Sequence, residues 1–228
     1  MEKKLSLNFH MTVFQLKMIA MTAMFLDHAA AVLINPDLPL YFVMRVIGRL
    51  AFPIYCFLLV EGFYHTRNLK KYIIRLGAFA LLSEIPFDLA FFHRFFYPGH
   101  QNTLFTLLIG MVMLAVIEYC RKKEKELMVG IALIGFSLLA FLFKTDYDAL
   151  GIIMIFVFYE YRDKKKLQAL LLLIIGILSG GIQTFSILAV IPILSYRGEK
   201  GRGGLKYFFY LFYPFHLLFL YIIYLLKI

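Results

Sequence analysis

An aspartate and a histidine stand side by side in "FQLKMIAMTAMFLDHAAAVLI", a run otherwise apolar enough to cross a membrane. A neutral imidazole beside a carboxylate is the equipment of a general base or nucleophile, so Asp27 and His28 are the first candidates for catalysis. In "MRVIGRLAFPIY", Arg45 and Arg49 lie four apart on one helix face, and Pro53, four further on, frees the Arg49 carbonyl. "LLSEIPFDLAFF" repeats the arrangement with Glu84 and Asp88 around Pro86. At 1.5 Å per residue all six fall in one layer, about 3–10 Å outward of the middle of their spans. Charges at that depth are functional candidates by default.

Two arginines opposite two carboxylates, with Asp27 as a third, form a network that is costly unless nearly every member is paired. Two readings of it stand. It is an interhelical clamp, with Asp27 as a counter-ion to an arginine, or it serves His28, the arginines stabilising an oxyanion or holding a cavity open. Gln101 and Asn102 in "QNTLFT", with His216 in "YPFHLLF", are candidates for the acceptor side, although His216 by itself reads as a hydrogen-bonded packing residue.

A second set lies inward, in "LLVEGFYHTRNLKKY". Glu61 sits just inside the bilayer, within reach of Lys17 if the first two spans are neighbours, and His65, Arg67, Asn68, Lys70 and Lys71 follow at the membrane surface. A phosphate-bearing ligand arriving from the cytoplasm would meet basic groups here, and the arginine fork suits phosphate. An ordinary basic loop accounts for the lysines equally well.

The elements that must position these groups are transmembrane helices. Of 228 residues, 62% are hydrophobic, and the mean hydropathy is +0.80, more than the core of a water-soluble domain needs. Apolar runs cover roughly 13–34, 41–64, 72–92, 103–119, 127–143, 147–161, 167–179, 182–195 and 207–226. That pattern gives an all-α polytopic bundle of about nine spans in one domain, 1–228, or eight if "SGGIQ" breaks a single re-entrant element.

The net charge of +10 does not point to nucleic acid, because the positives fall in short loops. Loops on one side hold Lys3, Lys4; Arg67, Lys70, Lys71; Arg121, Lys122, Lys123, Lys125; Arg162, Lys164, Lys165, Lys166; and Arg197, Lys200, Arg202. The other side holds Arg94, Lys144 and Lys227. The asymmetry places the N-terminus in the cytoplasm of a multi-pass cytoplasmic-membrane protein. Its first helix reads as retained rather than cleaved. Cys56 and Cys120 have neither metal spacing nor an evident disulfide partner, so no metal site is expected. The many Tyr and Phe belong to interfacial belts and lipid-facing packing.

"KMIAMTAMFLDHAAAV", "MRVIGRLAFPIYCFLLVEGFYHTRNLKKYIIRL", "SEIPFDLAF", "QNTLFTLLIG", "DYDALGI" and "KYFFYLFYPFHLLFLY" together resemble, over nearly the whole chain, the TraX family of polytopic membrane proteins. The resemblance implies the namesake activity, N-terminal acetylation of a conjugative pilin subunit. It also implies kinship with membrane acyltransferases that use cytoplasmic acetyl-CoA. In those enzymes a histidine on an early span is catalytic, the place of His28. Arginines followed by proline and an aromatic are a further shared feature, matched by Arg45, Arg49, Pro53 and Tyr55.

The expectation is then an N- or O-acetyltransferase with acetyl-CoA as co-substrate, its phosphates near Arg67, Lys70 and Lys71, and His28 oriented by Asp27. The acceptor, a pilin-like peptide, a glycan or a lipid, is left open. So is the choice between direct transfer and an acetyl-histidine. The rival readings are a proton- or ion-coupled transporter, which uses the same buried residue types, and a membrane scaffold.

Overall fold

Thr12 starts the first helix, α1 (Val13–Leu33): its hydroxyl accepts from the Gln15 N–H while the Gln15 side chain accepts from the Thr12 N–H, a reciprocal cap. The computed structural model describes residues 10–227, so Lys3 and Lys4 lie outside the described residues. Pro39 opens α2 (Pro39–Gly48), where its missing N–H costs nothing. The run 41–64 is not one continuous helix. It divides at Arg49–Leu50 into α2 and α3 (Ala51–His65), where Pro53 has no N–H to offer the Arg49 carbonyl.

Asn68 caps α4 (Leu69–Phe92), which contains Pro86 and ends at His93 in a left-handed conformation. Asn102 caps α5 (Thr103–Lys122). Then come α6 (Glu126–Leu142), α7 (Asp148–Glu160) and α8 (Lys165–Ser179). A 3₁₀ stretch, Gly181–Ala189, runs into the short α9 (Val190–Leu194), and α10 (Lys206–Lys227) closes the chain. The described residues form no strand.

Four stretches are long and apolar enough to cross a membrane: Val13–Leu33, Pro39–His65, Thr103–Lys122 and Tyr207–Lys227. Helix α4, with 24 residues, has the length but carries Arg75, Glu84 and Asp88 within it. Helices α6, α7 and α8, of 17, 13 and 15 residues, are shorter than the roughly 20 that a bilayer asks for. The run 182–195 departs furthest from a regular span. Positive φ at Gly180 and Gly181 makes "SGG" a tight turn leading into the 3₁₀ segment.

Two sets of contacts define the ends of the bundle. At one pole Met11 bridges Tyr196, Glu61 binds Arg162, and Arg121 binds Glu160. This pole also carries the basic loops around Lys70, Lys122 and Lys164. At the opposite pole the Gln101 N–H donates to the Lys144 carbonyl, tying the α4–α5 and α6–α7 connections together. Between the poles the core gathers Leu16 and Ala20 of α1, Phe52 and Ile54 of α3, Met111 and Leu114 of α5, and Ile152 and Phe158 of α7. Outward faces are bare and apolar, as at Leu127 and Ile134 on α6 and Phe215 and Leu226 on α10. Water penalises such a surface and lipid tails do not.

Helices α1 and α2 approach so closely that a Cβ on Gly48 would overlap the Asp27 side chain. Overpacking of this kind costs about 1–3 kcal/mol. Gly48→Ala is therefore expected to lower the melting temperature in detergent, whereas Gly130→Ala, where a Cβ meets nothing within 4 Å, is not. Equal melting of the two variants would contradict the tight α1–α2 contact.

Candidate active site

Asp27 and Gly48 lie against each other, and this sets the partners of the arginines. Both reach a single oxygen, Asp27 Oδ2: Arg45 Nη1 at 2.9 Å and Arg49 Nη2 in a still closer pair. Arg49 is 5% exposed and also donates from Nε to the Arg45 carbonyl, 3.2 Å away. The other carboxylate oxygen, Asp27 Oδ1, is buried with no hydrogen-bond partner. Two guanidinium groups against one carboxylate leave the α1–α2 contact with an excess positive charge, while Asp146, the other carboxylate of the cavity they line, is engaged by His100 and Thr103.

The expected pairing of these arginines with Glu84 and Asp88 does not form. Glu84 accepts from the side chain and backbone N–H of Asn102, and Asn102 also donates to the Ala80 carbonyl at 2.9 Å. Asp88 accepts from the Tyr97 N–H at 2.7 Å. The physical reason is proximity: α2 packs on α1, so the arginines meet Asp27, while the α4 carboxylates hold the connection to α5. Gln101 has a similar structural role, its side chain donating to the Pro98 carbonyl at 3.3 Å.

His28 is oriented by a different residue from the one expected. Its Nδ1 lies 2.7 Å from His216 Nε2, with the ring planes 9° apart, and His216 Nδ1 lies 2.7 Å from the Phe212 carbonyl. A carbonyl only accepts, so His216 Nδ1 carries a proton. In the neutral pair His216 Nε2 then accepts from His28 Nδ1–H, which leaves His28 Nε2 as a lone pair. That nitrogen has no hydrogen-bond partner among the described residues. His216 thus joins the site from α10, with Phe91 and Tyr213 edge-on to the His28 ring.

His28, Asp27, Arg45 and Arg49 line one cavity of about 300 Å³, toward the pole opposite the basic loops. Sequence reasoning missed the rest of its polar lining: His100, Thr103, Asp146, Tyr147 and Gln183. His100 Nε2 is 3.1 Å from Asp146 Oδ1, and Thr103 Oγ1 donates to Asp146 Oδ2 at 2.5 Å. Tyr147 stacks on Phe52 with centroids 3.4 Å apart. The motif "DYDALGI" held the signal for Asp146 and Tyr147, which hydropathy counts only as a turn.

A second cavity, of about 630 Å³, opens toward the basic pole. Tyr55 lines both cavities. Of the inner candidates, Glu61 and His65 line the larger cavity, while Arg67, Asn68, Lys70 and Lys71 are exposed and outside it. Asn68 instead caps α4, accepting from the Lys71 N–H at 2.9 Å. Glu61 shares this cavity with Lys17 and accepts from Arg162 Nε at 2.8 Å and from the Tyr196 hydroxyl at 3.2 Å. Burial, and then the Glu61 charge, push the Tyr196 hydroxyl up to about 12, so it stays a donor. The cations facing this space are Lys17, Arg75, Lys200 and Arg202. Among the described residues no group of three His, Cys, Asp or Glu side chains is arranged to hold a metal ion.

The family model described as TraX protein matches residues 13–224. Among curated proteins, the probable fimbrial assembly protein FimC, serogroup H1, of Dichelobacter nodosus is 34% identical over 202 residues, which is 83% of this chain and 79% of that protein. No solved structure matches the chain.

The His100–Asp146 contact lies between the long helices and can be titrated. The hydrogen bond to Asp146 favours the imidazolium, which raises the His100 pKa above the usual 6.5. A raised group contributes most below its unfolded pKa, and its contribution is lost as pH climbs through the folded value. NMR titration of the histidines is expected to place His100 above the free-imidazole midpoint and to bring it down in Asp146→Asn. Identical midpoints in the two proteins would show that the pair does not form.

Proposed function

Because the chain belongs to the TraX protein family, we propose that it is a membrane-embedded acetyltransferase. It takes acetyl groups from cytoplasmic acetyl-CoA and gives them to an amine or hydroxyl acceptor in the assembly of a surface fibre. The observation that carries this reading is the free nitrogen of His28, fixed by His216, in a cavity that shares Tyr55 with a larger, cation-lined cavity at the basic pole. In the proposed orientation that pole faces the cytoplasm of the cell membrane.

The donor occupies the larger cavity, and its thioester reaches past Tyr55. The acceptor enters the smaller one. His28 Nε2 removes the acceptor proton as the acceptor nitrogen or oxygen attacks the thioester carbonyl carbon. The C–S bond then breaks, and the proton on His28 passes to the leaving thiolate, giving acetylated acceptor and free CoA. While His28 is cationic, its Nδ1–H bond to His216 spreads the charge, and the Phe212 carbonyl holds His216 in place. The excess positive charge of Arg45 and Arg49 over Asp27 favours the carbonyl oxygen as it becomes negative. Asp27 is a positioning residue for the arginines, and His216 is a positioning residue for His28.

The test is acceptor-dependent CoA release by purified protein in nanodiscs, with pilin-like peptides and hydroxyl compounds as acceptors. His28→Ala is expected to lose about 10²–10⁴-fold in kcat, the usual worth of a general base. His216→Phe is expected to lower kcat while leaving KM for acetyl-CoA unchanged, since His216 touches neither substrate. Undiminished turnover in His28→Ala would overturn the reading.

A further inference from the structure

We infer that the glycine-rich turn Gly198–Gly204, together with Arg75, is a phosphate-binding cradle at the mouth of the larger cavity. The inference rests on the transferase reading for the identity of the phosphate ester, whereas the cradle itself is a matter of backbone and charge. In "RGEKGRGGLK" three glycines, Gly198, Gly201 and Gly204, have φ of 87°, 66° and 93°. Such left-handed steps turn successive N–H groups toward a common concavity that attracts anions. Among the described residues, none of the N–H groups from Gly198 to Gly204 donates to a backbone carbonyl. A Cβ on Gly198, Gly203 or Gly204 would meet nothing within 4 Å, so the backbone there stands open to a ligand.

The turn is also held in place. The Val13 N–H donates to the Glu199 carbonyl at 2.9 Å and the Phe14 N–H to the Lys200 carbonyl at 3.2 Å. Gly201 abuts Thr12 so closely that any side chain would collide with it. The start of α1 therefore fixes the shape of the turn, and the ordering is in place before a ligand arrives.

Charge completes the cradle. Lys200 and Arg202 from the turn and Arg75 from α4 line the same cavity. Arg75 lies 5.2 Å from the ring centroids of both Tyr72 and Tyr210, its Nε is buried without a partner, and it makes no ion pair among the described residues. Glu61, the carboxylate on this wall, is already engaged by Arg162 and Tyr196. Glu199, the carboxylate within the turn, does not line the cavity, so the turn and α4 present it with cations, and the guanidinium fork of Arg75 or Arg202 suits a tetrahedral oxyanion. Beyond it the wall turns apolar at Leu58, Leu59 and Leu107 on the way to Tyr55, a path for a neutral arm. The ligand class is a phosphate ester, either the nucleotide end of a thioester donor or the headgroup of an anionic phospholipid.

The experiment measures binding of radiolabelled CoA, adenosine 3′,5′-bisphosphate and pantetheine to the full chain in phosphatidylcholine nanodiscs, and repeats the CoA arm with phosphatidylglycerol. CoA and the bisphosphate are expected to bind and pantetheine to bind far more weakly. Lys200→Gln/Arg202→Gln and, separately, Arg75→Gln should each weaken CoA at least about tenfold, the scale of a lost charge-assisted hydrogen bond, with folding checked by thermal melting. If the bisphosphate does not bind and phosphatidylglycerol blocks CoA in a cradle-dependent way, the phosphate belongs to lipid. CoA binding indifferent to all three residues, or weakened by Lys70→Gln/Lys71→Gln in their place, would overturn the cradle. Cradle-dependent binding without acetyl transfer would sink the transferase reading and leave the cradle standing. Transfer that persists in the cradle variants with unchanged KM for acetyl-CoA would do the reverse.

Discussion

A carboxylate buried between two arginines is the constraint around which the half of this protein away from the basic loops is built. Each charge costs several kcal/mol to bring out of water and is tolerated only if its partners are held in place. The partners are held by backbone. Gly48 lets α2 lie against Asp27, the break before α3 turns Arg49 back toward the Arg45 carbonyl, and Pro53 withholds an N–H from the Arg49 carbonyl at that break. With the arginines spent on Asp27, Glu84 and Asp88 are released to fasten the connection between α4 and α5. That connection carries His100 and Thr103 to Asp146. The arrangement of the cavity thus follows from which carboxylate the arginines reach first.

Much of the helical architecture was legible in the sequence because hydropathy reports it directly. The runs near 13–34, 103–119 and 207–226 became α1, α5 and α10 with small changes at their ends, whereas 41–64, read as a single run, divided into α2 and α3. The 3₁₀ stretch Gly181–Ala189 was not legible, because its composition is that of an apolar helix and only its backbone differs.

The candidate site was legible in its residue types and not in its pairings. Intramembrane charge singled out Asp27, His28, Arg45 and Arg49, and all four share one cavity. The choice of Asp27 as partner depends on the α1–α2 contact, which no spacing within either run encodes. His216 looked like packing because its role is defined by a residue 188 positions away. The basic groups of the larger cavity were assigned to the loop richest in lysine, at Lys70 and Lys71. Arg75, one turn further along the same helix, and Lys200 and Arg202, from a distant loop, are the ones that face the cavity.

The shared wall at Tyr55 has a consequence for energy conservation. A protein that admits one substrate from each side of a membrane risks becoming a pore, and buried charges such as those of Asp27 and Arg49 draw water along it. Here the two water-accessible chambers come together at a phenol set in the packed start of α3, among residues such as Phe52, Ile54 and Cys56. An acyl arm threaded past the ring would itself fill the passage, and the apolar neighbours of the ring offer a file of water few hydrogen-bond partners when the arm is gone. On the proposed reading, Tyr55 lets the chain perform chemistry across the bilayer without short-circuiting the proton gradient that the bilayer maintains.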